Sequence, residues 1–359
     1  MNGVAIAVLV MSVLIVFHEL GHFLVAKFLG IGVRVFSFGF GPKLLSFSWG
    51  QTQYKLSAVP LGGYVQLVGE HAGEEMSAGF IAAQSLTQRP AWQYMAVVVA
   101  GPFFNLLLAW LLYWAIFWVQ GYCETLPLVG EVRACGPAAV AGVQVGDRVM
   151  AVGETHISSW RQLAETITAS NGRQLTLTIE RHGQHVAIYV TPEYEAKKNL
   201  FGEYVNTPLI GIKSSGETVV IPLDISSAAI FAWDQTWSTV TLTVQNLGKL
   251  IARAIPFDTV GGPIMIAQMV SDQAKQGLGN LMALTAIISV NLAIINLFPI
   301  PVLDGGHILF CGIEIVFRRP VNRRVQEMAT KVGFMLLIIL ALISFYNDLQ
   351  RLFNFSIFF

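Results

Sequence analysis

Residues Val16–Gly30 read VFHELGHFLVAKFLG. They lie in one of the most apolar stretches of the chain, Val4–Phe28, yet they carry His18, Glu19, His22 and Lys27. On a helix, residues four apart lie on one face, one turn above the other. His18 and His22 can therefore place both imidazoles on a single metal ion, with Glu19 beside them to hold or deprotonate a water. An H-E-x-x-H triplet also arises by chance, so its surroundings matter. A charged side chain at the centre of a spanning helix costs about 2.5–3.5 kcal/mol on insertion scales. Glu19 therefore needs a compensating partner, and zinc, whose binding is worth on the order of 10 kcal/mol in small structural sites, supplies one. The plainer alternative is a buried polar cluster that glues helices together.

The rest of the composition agrees with a membrane setting. Of 359 residues, 54% are hydrophobic and only 12% are charged, against about a quarter charged in soluble domains. The formal net charge is zero, which gives no footprint for a nucleic-acid partner. Hydropathy marks four candidate spans: Val4–Phe28, about Tyr94–Val119, about Leu281–Phe298, and about Val332–Phe345 with room for a turn or two more at its start or end, each read against the roughly 20 apolar residues a bilayer requires. The fourth is the shortest. Ser226–Ile255 is helical in pattern but carries Asp234, Gln235, Gln245, Lys249 and Arg253, so it reads as surface or interfacial. Lys27, Arg34, Lys43, Lys55 and Arg89 follow the first span, and Arg318, Arg319, Arg323, Arg324 and Lys331 separate the last two. By the excess of basic residues in cytoplasmic loops, both regions face the cytoplasm, leaving the N-terminus and the long middle region outside. The first span lacks the basic start and small-residue cleavage site of a signal peptide.

The middle region is polar and rich in short β-type runs: LVGEVR (128–133), RVMAVGE (148–154), QLTLTIER (174–181) and HVAIYVTP (185–192). Between them lies a helix, SWRQLAETITAS, with Ser158 or Ser159 as N-cap and Leu163, Ala164 and Ile167 as its apolar stripe. The stretch PAAVAGVQVGDRVMAVGE reads as a small-residue helix, a Gly-Asp turn and a strand. In its motif and in the order of its elements this region resembles a PDZ domain, which implies a groove beside a sheet edge where an extended peptide adds as a strand. The same domain could instead act as a size filter over the membrane site. The organisation read from sequence is thus a first membrane half (1–122), a PDZ-like outer domain (123–194), an outer β and amphipathic-helical connector (195–280) that includes VGGPIMIAQMVSDQAKQG, and a second membrane half (281–359). Cys123 and Cys135 both fall on the outer side, where a disulfide and two free thiols are both open readings.

A catalytic zinc takes three protein ligands and keeps a fourth position open. His71, His156, His182 and His185 lie in loops or in the outer region. In NLFPIPVLDGGHILF, two prolines, an aspartate and two glycines interrupt an apolar span, and broken backbone at that depth is tolerated only where protein or water lines it. Asp304 is the expected third ligand; His307, just past the turn, is the competing choice. The region 32–68, with VRVFSFGFG and YKLSAVPLGGYVQL, is β-rich and punctuated by glycine and proline. It reads as a re-entrant β-hairpin that offers a strand edge to an unwound substrate. No serine or cysteine nucleophile constellation appears, and Cys311 reads as an inert buried thiol.

HELGH in the first span and NLFPIPVLDGG in the third, with FSFGFGPKLLSF, KLSAVPLGGYVQL and AGPFFNLLLA in the same order, closely resemble the site-2 intramembrane metalloproteases, and among them the bacterial regulator-of-sigma-E protease group. The resemblance covers nearly the whole chain. It implies an α-helical polytopic membrane protein of about four spans with an inserted PDZ-like domain, located in the bacterial inner membrane. It implies one Zn²⁺ per chain, held by His18, His22 and Asp304, with Glu19 as general base and Asn291 and Asn296 engaging the substrate backbone. It suggests single-pass membrane substrates, such as anti-sigma factors or signal-peptide remnants, cut after an earlier cleavage has removed their outer part. Members of the group can carry two tandem PDZ domains; one clear copy is legible here. On the residues alone, interhelical glue is the alternative reading of Asn291 and Asn296. Three rivals stand beside the protease. A catalytically inactive scaffold would bind partner termini through its PDZ-like domain. A metal-ion transporter would need more carboxylates or histidines along its spans. A protease could also cut outside the membrane.

Overall fold

A computed structural model describes residues 3–69, 79–198, 204–252, 261–319 and 321–353. Along the chain, helix α1 (Gly3–Phe28) leads into long strands β1 (Val33–Trp49) and β2 (Thr52–Leu67), then helix α2 (Ala91–Gln120). There follow β3 (Tyr122–Thr125), β4 (Val129–Val132), α3 (Pro137–Ala141), β5 (Arg148–Val152), β6 (Thr155–His156), α4 (Trp160–Ala169), β7 (Leu175–Arg181), β8 (Gln184–Val190), β9 (Glu193–Lys198), β10 (Tyr204–Leu209), β11 (Ile212–Ser214) and β12 (Thr218–Ile221). Helices α5 (Ile225–Ile251), α6 (Pro263–Gln276), α7 (Leu278–Asn296), α8 (Asp304–Phe317) and α9 (Arg323–Phe353) complete it. The chain divides into two compact units. One comprises Met1–Ile116, Ala229–Gly248 and Pro256–Phe359; the other comprises Phe117–Ala228 and Lys249–Ile255.

In the first unit, α1, α2, α7 and α9 are long and apolar enough to cross a membrane. Ala7, Val10 and Leu14 of α1 meet Leu108 of α2, Val270 of α6 and Leu284 of α7 in one apolar cluster. The fourth span is longer than hydropathy alone proposes: α9 runs 31 residues. Its ends carry Arg324, Glu327 and Lys331 on one side and Asn347, Asp348 and Arg351 on the other. These lower the hydropathy of the end turns without stopping the helix. Buried Asp348 accepts hydrogen bonds from the Gly262, Ile264 and Met265 amides and so caps α6. Helix α5 is not one of the four long apolar helices. It packs over the bundle: Trp110 Nε1 donates to the Ala229 carbonyl at 3.1 Å, and Thr243 Oγ1 donates to Asn291 Oδ1 at 2.8 Å.

The expected hairpin is more elaborate than two strands. Val35–Phe38 pairs with Gly63–Gln66 on one side and with Gln53–Leu56 on the other, and Lys43–Trp49 pairs again with Thr52–Ser57. The two long strands bend back on themselves into four antiparallel ribbons, in the order 43–49, 52–57, 33–38, 63–67. Gly39 (φ +87°), Gly41 (φ +85°) and Gly62 (φ +117°) sit at the bends, where a left-handed backbone costs glycine nothing. The ribbon 43–49 exposes Leu44, Leu45, Phe47 and Trp49.

The second unit is built on an antiparallel sheet, β6-β5-β7-β8, with β4 pairing β11 and β3 pairing β12. Its core joins Val129, Val149, Leu163, Leu177, Ile179, Ile188 and Ile210. Ile210 and β11 belong to that core, so the unit reaches past Tyr194. Asp147, 1% exposed, is gripped at 2.7 Å by Arg181 Nε, by an Arg181 terminal nitrogen and by the Gln144 amide. Ser159 caps α4, its Oγ accepting from the Gln162 amide. Leu163 and Ile167 are buried as expected, but Ala164 is exposed: it lies about 100° around the helix from Leu163 and off the buried stripe. Cys123 and Cys135 are exposed free thiols, so the proposed disulfide is absent, and Cys311 is buried. Asp224 accepts from the Ser226 and Ser227 amides at the start of α5, which holds its carboxyl well below the usual carboxylate range.

Candidate metal centre

His18 and His22 stand one turn apart on α1 with their Nε2 atoms 3.2 Å apart. Asp304, the first residue of α8, brings Oδ2 to 3.1 Å from His18 Nε2 and 3.7 Å from His22 Nε2. Among the described residues, these three form the group of histidine, cysteine and acidic side chains placed to share one ion. Four tetrahedral ligands at zinc distances of about 2.0–2.2 Å are separated by roughly 3.3–3.6 Å, and the three observed separations fall around that range. Buried Asp304 Oδ2 has no hydrogen-bond partner. Such an orphaned carboxylate oxygen is costly unless a cation stands beside it. The donor set of two imidazoles and a carboxylate, one atom from each, suits a zinc that keeps a fourth position open.

Local sequence explains how three elements converge here. Gly21 of α1 faces the Ala100 carbonyl of α2 so closely that a Cβ would overlap it. Gly101 of α2 lies against the imidazoles, where a Cβ would sit 2.5 Å from His22 Cε1 and Nε2 and 2.7 Å from His18 Cε1. Small residues let backbones approach in this way. Helix α7 ends at Asn296, and Leu297–Leu303, with Pro299 and Pro301, crosses to α8 without helix. Gly305 and Gly306 press on the backbone of Leu297, Phe298, Ile300 and Pro301, which explains why Asp304 is followed by two residues without side chains.

Other groups orient the cluster. His22 Nδ1 stands 2.8 Å from the Val97 carbonyl oxygen. That oxygen can only accept, so Nδ1 carries the proton and Nε2 keeps its lone pair. Asn105 of α2, fully buried, contacts His18 Nδ1 at 3.2 Å, and its backbone carbonyl accepts from Ser289 Oγ of α7 at 2.7 Å. The Val65 amide donates to Glu19 Oε2 at 3.0 Å. Because Val65 lies on ribbon 63–67, which among the described residues is the last ribbon of the sheet on that side, that ribbon abuts the glutamate. Sequence reasoning missed Asn105, Val97 and Val65 in these roles. Asn105 stands in AGPFFNLLLA, a run legible only as a family match.

The competing ligand, His307, lies outside the three-residue group, and its Nδ1 is 2.9 Å from the Tyr94 hydroxyl of α2. His156, His182 and His185 belong to the second unit, and His71 lies outside the described residues. Asn291 bonds Thr243. Asn296 is half-buried at the end of α7, beside the non-helical linker.

The profile of peptidase family M50 matches residues 6–340. This chain belongs to peptidase family M50. A Mesorhizobium japonicum protein named as a zinc metalloprotease is 36% identical to it over 95% of this chain and 96% of its own length. A Campylobacter jejuni protein so named is 35% identical, over 96% and 92% respectively. The zinc metalloprotease RasP of Geobacillus kaustophilus is 31% identical, over 96% and 97%. The M50 chain is therefore a zinc metalloprotease of the site-2 protease family and a membrane protein.

Proposed function

We propose that this M50 chain hydrolyses peptide bonds within or near the spanning segments of single-pass membrane proteins. The observation that carries the reading is the meeting of the His18, His22 and Asp304 cluster with Glu19, which is bonded to ribbon 63–67 of the four-ribbon sheet. In this reading the three clustered residues hold one Zn²⁺ and Glu19 is the general base. When bound, zinc supplies Lewis acidity that acidifies water and polarises a carbonyl. Glu19, oriented by the Val65 amide, accepts the proton of the attacking water and returns it to the leaving amine. An unwound substrate pairs along ribbon 63–67, because a helix hides its carbonyls and an added strand presents them. Asn296, beside the linker, engages the substrate backbone. Asn291 serves there only if its bond to Thr243 opens.

The second unit is read as a PDZ-like peptide binder. A cavity of about 520 Å³ lies between α4 and β11, floored by Leu163, Ile167, Ile210 and Ile212 and edged by Trp160 and Lys213. Among the described residues β11 pairs with β4 alone, and an added strand is read to take its far edge. Exposed apolar ribbon 43–49 fits re-entry into lipid. The whole arrangement fits regulated intramembrane proteolysis in a bacterial inner membrane, with the PDZ-like unit on the periplasmic side and anti-sigma factors or signal-peptide remnants as substrates. The test is co-expression with tagged single-pass membrane proteins, comparing the wild type with Glu19→Gln. Processing by the wild type alone, with the cut mapped inside the span, is expected. Equal processing by both would favour the inactive scaffold.

A further inference from the structure

Asn105 holds an amide in a place where its nitrogen end makes poor chemical sense once a metal is present. Its Nδ2 is 3.2 Å from His18 Nδ1, while its Oδ1 is buried with no hydrogen-bond partner. For His18 to bind a metal through Nε2, the atom that faces Asp304 and His22, its single ring proton must reside on Nδ1. A protonated Nδ1 needs an acceptor, which Nδ2 cannot be and Oδ1 can. A half-turn of the amide exchanges its two ends within the same space and gives the orphaned oxygen its donor. His22 needs no such help, because the Val97 carbonyl already fixes its tautomer.

We infer that Asn105 is the positioning residue that fixes the metal-binding tautomer of His18, presenting Oδ1 to Nδ1–H when zinc is bound. Its place is secured from behind by Ser289, which bonds its backbone carbonyl, and its complete burial leaves no water to substitute for it. The inference rests on the proposed ligand set. Partners of this kind typically contribute 10–100-fold to metal affinity.

The test is zinc affinity of the full-length purified protein, measured by competition with a chelator of known affinity, for Asn105→Ala, Asn105→Leu and Asn105→Asp, with His18→Ala alongside. Leucine fills the space without an acceptor, and aspartate keeps the acceptor while losing the donor. The expected result is a 10–100-fold loss for alanine and leucine, with aspartate within about threefold of wild type or tighter, as in carboxylate–histidine–zinc pairings. The inference is overturned if aspartate is as weak as leucine, which would make the amide a donor, or if alanine binds zinc like the wild type. Wild-type affinity in His18→Ala would instead sink the ligand assignment itself. Retained zinc binding in Asn105→Asp also shows that the losses in Asn105→Ala and Asn105→Leu are not losses of the fold.

Discussion

Gly101→Ala sets two physical effects against each other. In a helix interior, alanine is favoured over glycine by about 0.8–1.0 kcal/mol, so the substitution should stiffen α2. At this position, however, the new methyl would stand 2.5 Å from His22 Cε1 and Nε2 and 2.7 Å from His18 Cε1. Comfortable contact between such atoms is about 3.5–4.0 Å, so the rings or the helices must retreat by roughly 1 Å. Binding constellations tolerate about 0.5 Å and metal–ligand distances about 0.2 Å. Retreat of His22 also breaks its 2.8 Å bond to the Val97 carbonyl. Loss of an orienting partner alone costs 10–100-fold in metal affinity, so displacement of a ligand should cost at least about 100-fold, equivalent to about 2.7 kcal/mol. Zinc content after equilibration with a chelator, read beside the thermal unfolding of the metal-free protein, measures both effects. Gly312→Ala is the matched control, a helical glycine with no atom near its Cβ position, and should leave zinc unchanged. Because overpacking costs about 1–3 kcal/mol, a Gly101→Ala protein that still unfolds cooperatively, at or somewhat below the wild-type temperature, but binds little zinc is expected. Wild-type zinc affinity in that variant would refute the close packing of α2 on the imidazoles.

Two further outcomes are expected away from the metal. Asp147→Ala leaves the Gln144 amide without its acceptor and the half-buried Arg181 guanidinium with the Gly142 carbonyl; losing such charge-assisted bonds costs about 1.5–3 kcal/mol. Faster hydrogen exchange of the β7 amides in the intact protein, with the α1 amides unchanged, would register it, and exchange altered by less than tenfold would contradict it. For the orientation, a membrane-impermeant maleimide applied to spheroplasts should modify the exposed thiols Cys123 and Cys135 and spare buried Cys311; labelling of the first two only after lysis would invert the topology.

What could be read from sequence followed the range of the physics involved. The His18 and His22 pair was legible because its geometry is local, one helical turn, and Asp304 because an ionisable group in a broken apolar segment demands a reason. Asn105 was not, since a buried asparagine in a spanning helix looks the same whether it joins helices or orients a ligand. Only the register of α2 against α1 decides, and that register is written in Gly21 and Gly101 rather than in Asn105. The strands of 33–67 announced themselves by composition, but their double pairing depends on contacts between ribbons up to about thirty residues apart. The end turns of α9 were hidden because a hydropathy window penalises Asp348, whose carboxylate is occupied in capping α6.

The bond between Val65 and Glu19 ties the remaining pieces together. On the proposed reading ribbon 63–67 lies within the bilayer, where edge peptide N–H groups find no water and a carboxylate at the same depth finds none to solvate its charge. Here the two groups meet: the Val65 amide donates to Glu19 Oε2 at 3.0 Å, a charge-assisted contact. The same bond fixes how far ribbon 63–67 lies from the His18, His22 and Asp304 group, because Glu19 adjoins His18 in the chain. On the proposed reading, a substrate strand beside this ribbon would be placed relative to Glu19, so that peptide placement and proton transfer would share one geometric reference, which would account for a β-sheet directly following the helix that carries HELGH.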